Sequence, residues 1–292
     1  MSNPTHILHT QHGRSFRTNR FVYPVVSRRS GGVSIGVNLN PDKVCNFDCI
    51  YCQVDRTAAA EVQFVELPQL LAELDAMLEF VASGAAFETP EFAATPPAQR
   101  RLNDIAFSGD GEPTSYRNFD EIIAACAAVK KRRGLDDVKL VLITNASLFD
   151  RPHVQRGLAL LDASQGEVWA KLDAGTAEYF RLIDRTTIPF ARILANIAAA
   201  ARVRPLVIQA LFMRVHGVPP DRSECEAFCG RLRDIVAGGG TLKLVQIYTV
   251  ARKPAESFVQ PLTDAEVDAL AELVRQRTGL PTAAFYGAPP SC

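Results

Sequence analysis

The chain lacks an excess of either charge: 32 Lys and Arg balance 32 Asp and Glu over 292 residues. A zero net charge gives no global field toward nucleic acid or an anionic membrane. No apolar run approaches the ~18 residues that a bilayer-spanning helix needs. The opening stretch, MSNPTHILHTQHGRS, is polar and has no apolar h-region, so no signal peptide is read in it. A cytoplasmic location and no membrane partner are therefore expected. Internal repeats, heptads and low-complexity tracts are also missing, which excludes solenoids and coiled coils. Cysteine is sparse and odd in number: seven, of which three crowd into residues 45–52. Without an export signal, that spacing argues for thiolate ligands and against a disulfide framework.

What is present is an ordinary globular composition, 47% hydrophobic and 22% charged, enough for a sizeable core. The length suits one large α/β barrel-type domain or two small ones. Charge is unevenly placed. Residues 1–56 hold seven Lys and Arg against three Asp, whereas residues 57–100 hold seven acids and one Arg.

Strand-like and helix-like segments alternate. Val33–Leu39 is β-branched and reads as a strand, and Leu67–Val81 has helical apolar spacing. Residues 82–103 read as a loop broken by Gly84, Pro90, Pro96 and Pro97. Strands follow at Asp104–Phe107, Val138–Ile143, Glu167–Leu172, Leu206–Phe212 and Leu242–Tyr248. Helices are expected at Phe119–Lys131, about 150–161, about 176–183, about 189–202 and Ser223–Val236. A capping box, Thr263-x-x-Glu266, announces the last helix, and Gly279 ends it. Six βα units require a parallel sheet with right-handed crossovers and are too few for a closed eight-stranded barrel. The expectation is an α/β open (βα)6 partial TIM barrel over 33–280, with an N-terminal extension at 1–32 and a tail at 281–292. The Tyr23–Ser30 stretch is too polar to be a core strand by itself. Chemistry in such barrels sits at the carboxyl ends of strands.

The first strand is followed by Cys45-Asn-Phe-Asp-Cys49-Ile-Tyr-Cys52, a CxxxCxxC loop. Three thiolates this close can converge on one inorganic centre. Three is one ligand fewer than structural zinc or a fully protein-ligated cubane takes, so a cubane here keeps one iron open. Zinc with His216 or Cys292 as fourth ligand, or a cluster of buried thiols, are the plain alternatives.

The CxxxCxxC loop, with Tyr51 just before its last cysteine, resembles the radical S-adenosylmethionine (SAM) superfamily. The resemblance implies a [4Fe–4S] cluster on Cys45, Cys49 and Cys52, whose open iron is chelated by S-adenosyl-L-methionine. It also implies reductive cleavage to methionine and a 5′-deoxyadenosyl radical that abstracts hydrogen from a substrate, and Tyr51 against the adenine. Ser108-Gly-Asp-Gly-Glu-Pro-Thr114 resembles the family's GGEP motif, with Asp110 as a departure; this assigns Gly109, Gly111 and Glu112 to the SAM amino group. Thr144-Asn145-Ala146 resembles the TNG segment, with Ala146 where Gly is usual, and assigns Asn145 to SAM. Lys171 stands where relatives place a polar residue near the SAM carboxylate; the other reading makes it a rim lysine or a partner of Asp173. Gln209, Gln246 and Tyr248 are polar on apolar strands, and either face a pocket or satisfy each other; the pocket is favoured.

Residues 23–56 resemble a group of Fe–S oxidoreductases related to the tRNA wybutosine synthases, through Ser27-Arg28-Arg29, Gly36, CNFDCIYCQ and Arg56. The kinship, with Arg14, Arg17, Arg20, Arg28 and Arg29, raises tRNA as a substrate. Solvated or ion-paired arginines are the alternative, and the neutral overall charge counts against tRNA. Residues 1–44 hold no cysteine, so the second cluster of wybutosine synthases is not supported. Cys225 and Cys229 are i, i+4 on a helix and read as packing or surface residues, Cys126 reads as core, and His6, His9 and His12 as solvated. A reductant such as flavodoxin or ferredoxin is the expected partner. The rival from another class is a non-catalytic, metal- or cluster-stabilised RNA-binding protein.

Overall fold

The computed structural model describes residues 16–27, 29–56, 59–60 and 62–287. Arg14, Arg28, His6, His9, His12 and Cys292 lie outside the described residues. The chain divides into two units. The first comprises residues up to 45, 56–143 and 151–167; the second comprises 46–55, 144–150 and residues from 168 on.

In the first unit, β1 (Val22–Ser27), β2 (Gly32–Val37), β3 (Leu102–Phe107) and β4 (Lys139–Thr144) lie side by side in that order. β1 is antiparallel to β2, and β2, β3 and β4 are mutually parallel. Helices α1 (Leu67–Ala82), α2 (Phe119–Arg132) and α3 (Pro152–Asp162) supply the crossovers. Gly157 of α3 lets that helix close on α2, since a Cβ there would stand 2.4 Å from the Phe119 ring.

The strand β1 corrects the reading of Tyr23–Ser30. Phe21, Val22, Tyr23 and Val26 are all buried. Its polar needs are met from elsewhere. The Glu73 carboxylate of α1 accepts the backbone N–H groups of Arg20, Phe21 and Val22 at 2.8–3.1 Å. The Tyr23 hydroxyl donates to the Ser108 carbonyl at 2.9 Å. The backbone leading into the strand and the Tyr23 hydroxyl are thus paired inside the protein.

At the amino end of β3, Asp104 is buried and accepts from the Ser34 hydroxyl and from Asn103 Nδ2. Burial raises its pKa, even against these hydrogen bonds. A carboxyl whose folded pKa lies above its unfolded value loses stability as pH rises through the carboxylate range. Asp104→Asn should therefore gain stability relative to wild type as pH rises above about 4, the ordinary carboxylate value, measured as urea midpoints of the cluster-free proteins. A gap that does not grow with pH would count against this.

In the second unit, β5 (Gly166–Lys171), β6 (Leu206–Leu211), β8 (Leu242–Tyr248) and β10 (Thr282–Phe285) are parallel neighbours. Between them in sequence, β7 (Met213–Val215) and β9 (Val259–Pro261) form a small antiparallel pair. Helices α4 (Ala177–Asp184), α5 (Phe190–Val203), α6 (Arg222–Ala237) and α7 (Asp264–Thr278) complete it. The capping box of α7 is as predicted: Thr263 Oγ1 accepts from Glu266 N, and Glu266 Oε2 accepts from Thr263 N at 2.8 Å. Such a cap contributes about 1 kcal/mol. Gly279 ends the helix at φ +69°, a left-handed position that glycine takes without strain.

The α/β class and the six βα units of a partial barrel agree with the sequence reading. β10 adds a strand inside the segment expected to be a tail, because its backbone extends the sheet edge that β8 would otherwise leave open.

Candidate functional site

In the first unit, the loop after β3 carries Gly109, Gly111 and Glu112. Both glycines are required by the loop after β2. A Cβ on Gly109 would stand 2.1 Å from Asn38 Oδ1, and one on Gly111 would stand 2.1 Å from the Val44 carbonyl oxygen, one residue before Cys45. Asn38 ties the two loops together, donating to Asp110 Oδ2 at 2.8 Å and accepting from Asp110 N at 3.1 Å. Asp110, the departure from GGEP, therefore has a partner of its own.

Glu112 is buried and caps a short turn at Pro113–Ser115. Its Oε1 accepts from Thr114 N at 3.1 Å and from Thr114 Oγ1 at 2.5 Å. Beside it, Asn40 is buried. Its Nδ2 donates to Ser115 Oγ at 3.2 Å, while its Oδ1 has no hydrogen-bond partner among the described residues. A buried carboxylate and an orphaned acceptor next to it suit an ammonium group, which brings three N–H donors.

In the second unit, residues 46–55 form the rest of the cysteine loop, and α4 holds them. Asp48 N donates to the Asp184 carbonyl at 3.2 Å and Ile50 N to the Ile183 carbonyl at 2.9 Å. The last carbonyls of a helix lack intrahelical partners, and here the cysteine loop supplies them. Phe47 packs edge-on against Phe180 of α4 at 5.9 Å. The Cys52 N–H closes on the Cys49 carbonyl at 3.0 Å, a tight turn between those two ligand candidates.

A buried network of ionisable groups adjoins the loop. The Tyr51 hydroxyl stands 2.5 Å from Asp173 Oδ2 and 3.0 Å from Asp184 Oδ1. One hydroxyl proton cannot serve two carboxylates. Asp173 has the stronger set of partners: it also accepts from Leu211 N at 2.7 Å and pairs with Lys171 Nζ at 3.0 Å. Burial, then the charge of Asp173, pushes Asp184 up to about 7. Asp184 thus keeps its own proton for part of the time at neutral pH, whereas burial and the two aspartates hold the Tyr51 hydroxyl protonated. The Cys49 thiol donates to Asp184 Oδ1 at 3.3 Å, and burial followed by the Asp184 charge raises its pKa well above the ordinary thiol value. A metal binding there must displace that proton.

Lys171, at the carboxyl end of β5, lies over the rings of Tyr51 (4.9 Å) and Tyr248 (5.5 Å) and donates to the Tyr248 hydroxyl at 3.0 Å. Burial opposes its charge, but Asp173 and Tyr248 outweigh it and keep the ammonium protonated. The structure thus gives Lys171 the Asp173 partnership. Gln209 and Gln246 are buried and satisfy each other at 2.8 Å, against the favoured pocket reading: their strands are in register at this pair. Asn145, after β4, bonds Asn46 of the cysteine loop at 2.8 Å.

Asp184, Asn46, Asn38 and Asn40 escaped the sequence reading. A lone Asp at a helix end and Asn in a loop carry no spacing signal of their own. Cys126 and Cys229 are fully buried and Cys225 partly so, with burial pushing the thiols of Cys126 and Cys225 up to about 12. His216 is exposed and stacks on Phe258 at 4.4 Å. Arg17 lies over Phe16 and Phe80 and pairs with Glu91 at 3.6 Å.

The donor set fits an iron–sulfur cluster: three half-buried thiols on one short loop, none in a disulfide. Among the described residues no group of three His, Cys, Asp or Glu side chains is already gathered as a metal site, so the fit rests on donor chemistry. The profile of the Radical SAM superfamily matches residues 39–217. The chain belongs to the radical SAM superfamily. That membership brings SAM and an iron–sulfur cluster as the family's cofactors.

Among curated relatives, a UPF0026 protein of Helicobacter pylori strain J99 is 26% identical over 219 residues, covering 73% of this radical SAM chain and 61% of that protein. A UPF0026 protein of Methanocaldococcus jannaschii is 30% identical over 162 residues, 56% and 43% of the two chains. A protein named GTPase Obg from Brachyspira hyodysenteriae is 25% identical over 260 residues, 86% of this chain but 33% of that one. The chain thus spans between a third and about three fifths of the length of these relatives. The given sequence contains no Gly-Lys dipeptide, hence no phosphate loop of the GxxxxGK type.

Among solved structures, Streptococcus suis SuiB bound to S-adenosylmethionine is similar with a TM-score of 0.53 at 13% identity, covering 88% of this chain and 48% of that one; this likeness shows the fold. Archaeal TYW1 is similar with a TM-score of 0.46 at 16% identity, covering 84% and 72%. Among the described residues no helix is long and apolar enough to cross a membrane.

Proposed function

We propose that this radical SAM protein is an enzyme that holds a [4Fe–4S] cluster on Cys45, Cys49 and Cys52. The observation that carries the reading is the cysteine loop fastened to the end of α4, with the Tyr51–Asp173–Asp184 network behind it. Gly109, Gly111 and Glu112 hold the methionine end of SAM, with the Glu112 carboxylate and Asn40 Oδ1 taking the ammonium. Tyr51 and Lys171, in the second unit, are the further SAM contacts proposed. When bound, cluster and SAM supply reductive cleavage to methionine and a 5′-deoxyadenosyl radical that abstracts hydrogen from a substrate. The chain's own contribution is placement. The Lys171 ammonium stands 3.0 Å from Asp173 and offsets its charge, so less net negative charge lies behind the loop. The electron donor is a low-potential one-electron protein, a flavodoxin or a ferredoxin.

The test is anaerobic. The protein is reconstituted with iron and sulfide, dithionite and SAM are added, and 5′-deoxyadenosine is quantified. Formation that depends on the cluster supports the reading and leads to substrate screening, beginning with tRNA, whose binding should weaken steeply with salt. Uptake of zinc and never of a cluster would favour the RNA-binding rival.

Glu112→Gln should weaken SAM binding about tenfold while leaving the iron content unchanged, as expected for one lost charge-assisted hydrogen bond. Equilibrium dialysis with labelled SAM reads it. An unchanged affinity removes Glu112 from this role.

A further inference from the structure

We infer that Asn145 is a positioning residue for the cysteine loop and does its work through Asn46. The side chains of Asn46, Asn145 and Ser147 close a ring of hydrogen bonds. Asn145 Nδ2 donates to Asn46 Oδ1 at 2.8 Å, Asn46 Nδ2 donates to Ser147 Oγ at 2.7 Å, and Ser147 Oγ donates to Asn145 Oδ1 at 2.6 Å. Asn145 Oδ1 also accepts from Ser147 N at 3.1 Å. Both ends of the Asn145 amide are therefore engaged. Asn145 and Ser147 are buried, where breaking such a ring leaves unpaired polar atoms.

The ring is braced on both sides. Ala146, between its two members, sits at φ +60°, a left-handed backbone that is strained for a non-glycine residue. Asn196 Nδ2 holds it there by donating to the Ala146 carbonyl at 2.8 Å. On the other side the Thr186 hydroxyl donates to the Asn46 carbonyl at 3.0 Å. Asn46 directly follows Cys45 in the chain. A residue fixed by its carbonyl and by both ends of its amide fixes the path of the loop through the cysteines, as outer-shell partners orient metal ligands.

This inference rests on the cluster reading above. The experiment follows release of the reconstituted cluster to a chelator, by loss of its visible absorbance, in wild type, Asn46→Ala, Asn145→Ala and the double variant. Each single variant should lose its cluster about 10- to 100-fold faster than wild type, the usual cost of removing an outer-shell partner. The double variant should be no faster than the worse single one, because one ring is broken once. The change that SAM produces in the electron paramagnetic resonance spectrum of the reduced cluster should persist in the fraction still loaded. If Asn145→Ala does not fold, Asn46→Ala carries the test, since Asn46 is only half-buried. Wild-type release rates, or effects that multiply in the double variant, would overturn the inference. So would loss of the SAM-induced spectral change with the cluster retained, which would make Asn145 a SAM contact. Wild-type protein that takes up no cluster would overturn the underlying reading instead, and would show it before any variant is made.

Discussion

Replacing Cys49 with Ala should reduce the iron and sulfide bound after anaerobic reconstitution to background and abolish 5′-deoxyadenosine formation with it. The same is expected of Cys45 and Cys52, since a cubane with one open iron has no ligand to spare. The argument is sharpest at Cys49. Its thiol lies in a buried setting beside a carboxyl, which is adverse for a bare thiolate and raises its pKa. Only a bound cation makes the ionised sulfur favourable there. Cys126→Ala is the control: that thiol is fully buried on α2, and its loss should cost packing but no iron. A Cys49→Ala protein with normal iron content would remove Cys49 from the ligand set, and the loss of iron in the Cys126 variant would show that the assay reads folding alone.

Gly111→Ala should be nearly as damaging although it removes no ligand. The added methyl would fall 2.1 Å from the Val44 carbonyl oxygen and 2.8 Å from the Asn40 side chain. The first of these is backbone and cannot swing aside. Overpacking of this kind costs about 1–3 kcal/mol, at the upper end when backbone must move. The displaced segment leads straight into Cys45, so cluster retention should fall together with the melting temperature. Calorimetry on the cluster-free protein and iron analysis on the reconstituted one read the two effects separately. Gly134→Ala is the useful comparison: no atom stands within 4 Å of its Cβ position, and its cost is left-handed backbone strain alone, φ +63°. If Gly111→Ala keeps both stability and iron, the packing account of the glycine fails. The ligand-approach account would then be the better one.

These two cases show how far the sequence could be read. The cysteine spacing, the strand-end placement of Gly109–Glu112 and the six βα units are local patterns, and local patterns are visible in one dimension. What Gly111 is for was not visible, because its neighbour is the backbone of Val44, 67 residues earlier in the chain. Asn145 was recognised by its motif, but its partner Asn46 has no motif. Asp184 closes a helix without any composition cue, and becomes notable only when Tyr51 and Cys49 are seen to touch it. The Tyr23–Ser30 stretch reads as too polar for a core strand; what the sequence hides is the Glu73 carboxylate, which anchors the backbone leading into β1 from some 50 residues away. In each instance the missing information was a long-range partner.

The fastening of the cysteine loop to α4 also sets a clock. Once Cys52 has left the ribosome, the carbonyls of Ile183 and Asp184 that anchor Asp48 and Ile50 are made only more than 130 residues later. At about 5–20 residues per second, that interval is on the order of ten seconds. Until it ends, the thiols are presented by a tether with no wall behind it. A nascent chain arrested before Asp184 should therefore carry all three cysteines and still retain no cluster, which places cofactor delivery late in synthesis or after it.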